Sequence, residues 1–221
     1  MEFYDAVKAR FSCRKFLDKP VELDLLKRLV ATAQRAPSWG NTQPWKAYAA
    51  AGEVAKAIRS ELVKAHTSGQ PETPDIPMPA RFEGVLMDRY RTLGRELFKV
   101  LGITREDKDK RAAHYANNFN AFGAPCLVFF TVPAGQTPYV VMDTGAFVVM
   151  FCLAAANEGL GSCILAALAR YPQIVRAHLP IPDDESLLIG VALGWPDTQA
   201  EVNRFRSSRE ELDKVLVAKG F

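Results

Sequence analysis

Arg10, Ser12 and Arg14 alternate along the segment Arg10-Phe11-Ser12-Cys13-Arg14. Successive side chains of an extended backbone point to opposite faces, so these three share one. Two guanidiniums and a hydroxyl on one face can grip a phosphate, each fork bonding two oxygens at once. The plain alternative is a solvated basic edge. A second group is Ala36-Pro37-Ser38-Trp39-Gly40-Asn41-Thr42-Gln43-Pro44-Trp45. It crowds turn formers and short polar side chains together, and Ser38 and Asn41 can hydrogen-bond the heteroatom edge of a ring. Read plainly, it is a helix-ending turn before a packed Trp45. The third group is Glu158-Gly159-Leu160-Gly161-Ser162-Cys163, followed by Ile164-Leu165-Ala166-Ala167. Its glycines allow a close backbone approach; otherwise they are a C-cap and a tight turn. Together, anion grips, small-residue turns and exposed aromatics suit a flat, polar-edged cofactor with a phosphate tail.

Other chemistries are excluded by what the sequence lacks. There is no G-x-x-x-x-G-K-[ST] and no G-x-S-x-G, so neither a P-loop nor a nucleophile elbow. Gly159-Leu160-Gly161 starts like a dinucleotide fingerprint, but position 164 is Ile and the run follows a helical stretch rather than a strand. His66, His114 and His178 lie far apart without metal-ligand spacing, and read as surface or structural residues. No metal site is expected.

The elements that must hold these groups follow from periodicity. Phe3, Val7 and Phe11 fall on one face of a short first helix, and Leu25, Leu26, Leu29, Val30 and Ala33 repeat at helical spacing. Residues 45–51 read as a weak strand and 54–65 as a helix. Residues 82–101 and 106–118 look helical. Cys126 to Val132 (CLVFFTV) and Leu187 to Leu193 (LLIGVAL) read as buried strands. The stretch 69–79 (GQPETPDIPMP) holds four prolines and reads as an insertion or lid. Residues 139–158 form a core helix. Its segment Gly145 to Ala156 is apolar all round but too short to span a bilayer, as expected of a helix surrounded by protein or by a partner chain. Leu212, Val215 and Leu216 are spaced for a short C-terminal helix.

The 221 residues carry 28 basic and 25 acidic side chains, a net charge of +3. So balanced a charge argues against nucleic acid and against an anionic membrane as partner. The hydrophobic share of 48% is that of an ordinary globular chain. Cys13, Cys126, Cys152 and Cys163 form no C-x-x-C, and three sit in apolar runs. Reduced, buried cysteines and no signal-like N-terminus point to the cytoplasm.

Taken together, the three groups identify a resemblance to the FMN-dependent nitroreductase family. It covers almost the whole chain, from Arg10-x-Ser12-x-Arg14 through Ala36-Pro37-Ser38-x-x-Asn41-x-Gln43-Pro44-Trp45 to Gly159-Leu160-Gly161 and Ile189-Gly190-Val191-Ala192-Leu193-Gly194. Gly102-Ile103-Thr104-Arg105, Asn118-Phe119, Gly123-Ala124-Pro125, Arg170-Tyr171-Pro172 and the ending Lys219-Gly220-Phe221 are most similar to the subgroup near nitrobenzoate reductases. The resemblance implies an α+β fold with a central, mostly antiparallel sheet flanked by helices. It implies an intertwined homodimer with two FMN sites at the interface, and a C-terminal segment reaching across to the partner. The whole chain would be one FMN-binding domain, with a lid-like insertion around 69–118 and a C-terminal extension around 198–221.

By the same resemblance, Arg10, Phe11, Ser12 and Arg14 lie along the FMN phosphate and ribityl chain, with Arg209 as a second phosphate contact. Pro37, Ser38, Trp39 and Asn41 contact the flavin from the other subunit. Backbone groups around Ile164, Leu165 and Ala166 run along the ring near N5, and Asn118 reaches the ribityl chain or ring edge. Hydride passes through flavin N5 from a transient NADH or NADPH to a nitroaromatic, related aromatic or quinone acceptor in ping-pong fashion, so no side chain need act as nucleophile or acid. The alternatives are reductive dehalogenation or another specialised flavin reaction on the same fold, and flavin binding without turnover. Three positions depart from the family pattern: Phe11 replaces a second basic residue, Trp39 a small one, and Ala166-Ala167 a Glu-Gly.

Overall fold

The structure, a computed structural model, describes all 221 residues. At its centre is a four-stranded antiparallel sheet in the order β1-β2-β4-β3. The strands are β1 (Lys46–Ala51), β2 (Cys126–Pro133), β3 (Gly161–Leu165) and β4 (Glu185–Gly194). The inner strands β2 and β4 are buried on both faces, which is why both sequences read as unbroken apolar runs.

Alternation along β2 divides the core. Leu127 and Phe129 face one side, with α3 (Gly52–Thr67), α5 (Lys108–Phe119) and α7 (Pro172–His178) packed on them through Ile58, Leu62, Phe119 and Val175. Val128 and Phe130 face the other, against α2 (Leu23–Ala33) and α6 (Pro138–Asn157) through Leu29, Phe147 and Phe151. The result is an α+β sandwich of helices around one sheet, as the resemblance implied. α1 (Phe3–Ala9) packs on α6, while α4 (Gly84–Val100) stands outside both layers with only Leu97 and Phe98 buried.

Four elements differ from their sequence reading. α1 ends at Ala9, so Phe11 lies beyond it; Phe3 and Val7 are exposed and Ala6 is the buried residue. Gly161–Leu165 is a strand as well as the end of a turn, because Gly159 (φ +79°) caps α6 and the chain then extends at once. α7 begins at Pro172, a favoured first helical position, and is too short for its periodicity to show. The C-terminal periodicity produces only a single turn, Leu212–Lys214.

The proline-rich stretch is bonded to α7 and the sheet. Thr73 N donates to Arg170 O (3.0 Å), Arg170 pairs with Glu72 (2.7 Å), and Tyr171 donates to Gln70 O (3.1 Å). Asp75 accepts from Arg176 (2.8 Å) and from Leu187 N (2.7 Å). α6 is long and apolar enough to cross a membrane by length and composition. Here it packs on the sheet, and its Asp143 is buried.

Candidate cofactor site

Arg10 closes α1, its N–H bonded to Ala6 O at 3.0 Å. The chain then extends beside the edge strand β3, where Cys13 N donates to Ser162 O (2.9 Å) and Ser12 pairs with Ser162. The extended trace drops Cys13 into the core, fully buried, and burial pushes its thiol up to about 12. Gly161 is required there: a Cβ on it would meet Cys13 Sγ at 2.8 Å. Ser12 and its neighbours Arg10 and Arg14 open instead on a cavity of about 130 Å³.

The opposite wall of that cavity comes from nearly 200 residues later: Phe205, Arg206, Ser207 and Arg209. Asn203 joins the two walls. It is buried, accepts from Arg14 N (2.8 Å), and donates to Lys15 O (2.7 Å) and Asp197 O (2.9 Å). Arg206 lies over the Phe11 ring at 3.9 Å and donates to Asn203 O (2.7 Å) and Phe205 O (2.9 Å). Arg209 donates to the backbone and hydroxyl of Ser207 and to Ser208 O. None of Arg10, Arg14, Arg206 and Arg209 has a carboxylate partner. Four like charges around one small cavity repel one another, and an anion seated among them removes that cost.

The sequence reading placed Arg10, Phe11, Ser12, Arg14 and Arg209 together, and the structure brings all five to one cavity. It did not single out Asn203 or Arg206. Asn203 carries no local signal, since its partners are distant in sequence. The run Arg204-Phe205-Arg206-Ser207-Ser208-Arg209 has the alternating guanidiniums that drew attention to residues 10–14.

Asn118, on α5, spends its amide N–H groups on His114 O (3.3 Å) and Tyr115 O (3.0 Å). It lines a second, larger cavity that also reaches Arg14. On β3, Ser162 turns its backbone to residue 13, and strand alternation turns Ile164 toward the same open edge further along. Ile164 and Ala166 are exposed while Leu165 is buried.

Pro37, Ser38, Trp39 and Asn41 line neither cavity. Their loop is fixed on α6, with Trp39 N donating to Asp143 Oδ2 (3.0 Å) and the Trp39 ring meeting Tyr139 edge-on at 4.9 Å. Ser38 Oγ accepts from Gln43 N (2.9 Å). Gly40, Asn41 and Gln43 all have positive φ (56°, 58° and 48°). Backbone held in this region at non-glycine residues stores strain, a feature that clusters at ligand clamps.

Over residues 7–195 the chain matches the model of the nitroreductase family. The chain belongs to that family. A nitrobenzene nitroreductase of Ectopseudomonas oleovorans is 30% identical over 214 residues, covering 95% of this chain and 93% of the relative. Among solved structures, the FMN and NADPH-dependent nitroreductase NfnB of sphigopyxis sp. strain HMH superposes with a TM-score of 0.94 at 35% identity over the full length of both chains. The FMN-dependent nitroreductase NfnB of Mycobacterium smegmatis, solved in complex with NADPH, gives 0.93 at 29% identity over 98% of this chain and 97% of the other.

Proposed function

We propose that this nitroreductase-family chain is an FMN-dependent oxidoreductase that uses NADH or NADPH to reduce small nitroaromatic acceptors, working as a homodimer. The observation that carries the reading is the cradle of Arg10, Ser12, Arg14, Arg206 and Arg209, whose four guanidiniums lack any carboxylate. That donor set fits a phosphate monoester, the terminal group of FMN. The nitroreductase relatives at 30% and 35% identity support the same assignment.

When bound, FMN supplies hydride acceptance and delivery. The protein holds and shapes the site. The cradle would fix the phosphate, and Asn118, whose amide N–H groups bond to its own helix, would offer its side-chain oxygen to the ribityl chain. The exposed edge of β3 at Ile164 to Ala166 offers backbone groups along the ring. The strained loop with Pro37, Ser38, Trp39 and Asn41 would meet the ring of a second copy, since it lies away from the cradle of its own. Trp39 offers an aromatic face and edge against which a one-ring acceptor can pack. The lid-like part of residues 69–118 is the α4–α5 pair, which walls the cavity next to Arg14, because residues 70–75 are bonded elsewhere.

Two further observations support a homodimer. Tyr139, Met142 and Val149 leave an exposed apolar stripe on α6, and Phe3, Tyr4 and Val7 leave another on α1. The tail exposes Leu212, Val215, Leu216, Val217 and Phe221, as a segment seated on another chain would. All four cysteines are free and buried, in keeping with a reducing compartment such as the cytoplasm.

The test is the visible spectrum of the purified protein before and after anaerobic NADH or NADPH, followed by product analysis with nitrobenzene and 4-nitrobenzoate. A flavin band that bleaches and returns on adding the nitroaromatic is expected. A protein that binds no FMN sinks the reading.

A further inference from the structure

Beyond the cradle, Arg14 and Asn118 form the inner end of an open cavity of about 1,100 Å³ between α4, α5 and the turn joining them. Its walls are cationic. Arg91, Arg95 and Lys99 are spaced by four along α4 and so share one helix face, with Arg105 on the following turn and Arg111 on α5. Asp88 is the one carboxylate among the lining residues, and none of these five cations pairs with an acid. Arg95 bonds only to Thr92 Oγ1 (3.0 Å), and Arg111 rests over the Phe98 ring at 4.9 Å. Like charges four apart on a helix destabilise it, so the stripe costs the fold stability.

Size and charge together select the ligand. The cavity exceeds the usual 300–1,000 Å³ of a small-molecule site, far more than a one-ring acceptor fills. A nicotinamide dinucleotide has the length, and its pyrophosphate supplies the anions. NADPH differs from NADH by one ribose phosphate, which adds charge where guanidiniums are in excess and forks bind bidentately. We propose that this outer cavity docks the dinucleotide and reads its 2′-phosphate through Arg95 and Arg105 with Arg91 and Lys99 in support, so that the protein prefers NADPH to NADH. The inference rests on the reductase reading above and adds the donor and its site.

The experiment uses the FMN-loaded protein and its R95A/R105A variant. Adenosine 2′,5′-bisphosphate and adenosine 5′-monophosphate are titrated by calorimetry, and kcat/KM is measured with NADPH and with NADH. The bisphosphate is expected to bind at least about tenfold tighter, since one charge-assisted contact is worth roughly that factor. Salt and the double substitution should both erase the difference, and the NADPH-to-NADH ratio of kcat/KM should fall by about tenfold or more. R95K/R105K, which keeps the charges, should recover part of it. Equal binding of the two nucleotides, or a ratio unmoved in the double variant, overturns the proposal. So does a variant that loses kcat/KM for 4-nitrobenzoate but not for its methyl ester while that ratio holds, because the cations then serve the acceptor. If NADH and NADPH bleach the flavin equally well, only this inference fails; if neither does, the reductase reading fails first.

Discussion

The Asn203 side chain makes three hydrogen bonds from a buried position, and two of them tie residues 14 and 15 to a position 189 and 188 residues further on. Replacing it with Ala leaves Arg14 N without its partner, while Lys15 O keeps its bond from Asp197 N (3.1 Å) and Asp197 O the one from Ala200 N (3.3 Å), and an unpaired buried donor costs about 1–3 kcal/mol. N203A should therefore lower the urea midpoint and loosen FMN, whereas riboflavin, which lacks the phosphate, should bind as before. Equal losses for FMN and riboflavin would show that Asn203 supports the fold and not the cradle. R10A/R14A should act on the phosphate directly. At about 1.5–3 kcal/mol per charge-assisted contact, the pair predicts FMN affinity weaker by about two to four orders of magnitude, read by flavin fluorescence on titrating the apoprotein. Undiminished affinity would remove the phosphate assignment. The sequence revealed Arg10, Ser12 and Arg14 because their alternation is local. Asn203 matters through contacts across the chain, so spacing could not expose it, whereas Arg206 shares with Arg204 the local alternation seen at residues 10–14.

At the scale of elements, strand and helix were legible where one face or both faces are apolar over several residues, as in β2 and α2. β3 was not, because two of its five residues are glycine and serine and its context is a turn. Its partner strand shows why such residues are needed. A Cβ on Gly190 would meet Leu168 Cβ at 2.5 Å, so the turn after β3 packs directly on β4. G190A should cost about 1–3 kcal/mol of overpacking, and shrinking the neighbour in G190A/L168A should recover part of that in a chemical unfolding series. No recovery would place the cost elsewhere. Glu185, at the start of β4, is a second such point. Burial pushes its carboxyl up, but hydrogen bonds from Lys46, Thr131 (2.6 Å) and Tyr48 (2.9 Å) outweigh it and hold the group below its ordinary value. A carboxyl lowered in the folded state contributes stability that is fully present above its unfolded value and is lost as pH falls through the lower folded one. E185Q should therefore be less stable than the natural protein at pH 7 and show a shallower loss below the ordinary carboxylate range. Parallel acid limbs for the two proteins would contradict the assignment.

For the whole molecule, the decisive feature is α6, whose sequence has no polar face. A helix apolar all round must be covered all round, yet within one chain the sheet, α1 and α2 leave Tyr139, Met142 and Val149 exposed. The loop that carries Pro37, Ser38, Trp39 and Asn41 is fastened to the same helix through Asp143, away from the cradle. The homodimer proposed above would satisfy both facts: a second copy would cover the stripe, and its loop would approach the flavin edge of the first. The sequence revealed the need for cover but not which side lacked it, because that depends on how α1 and α2 pack. Sedimentation equilibrium should give twice the chain mass at micromolar concentration. M142K/V149K places two charges in the stripe and should yield a folded monomer, with far-ultraviolet dichroism retained. Since the cradle remains but the opposing loop departs, that monomer should bind FMN weakly and lose turnover, while free phosphate still protects the cradle from arginine-directed modification. A natural protein that sediments as a monomer and still holds FMN tightly would show that one chain builds the whole site.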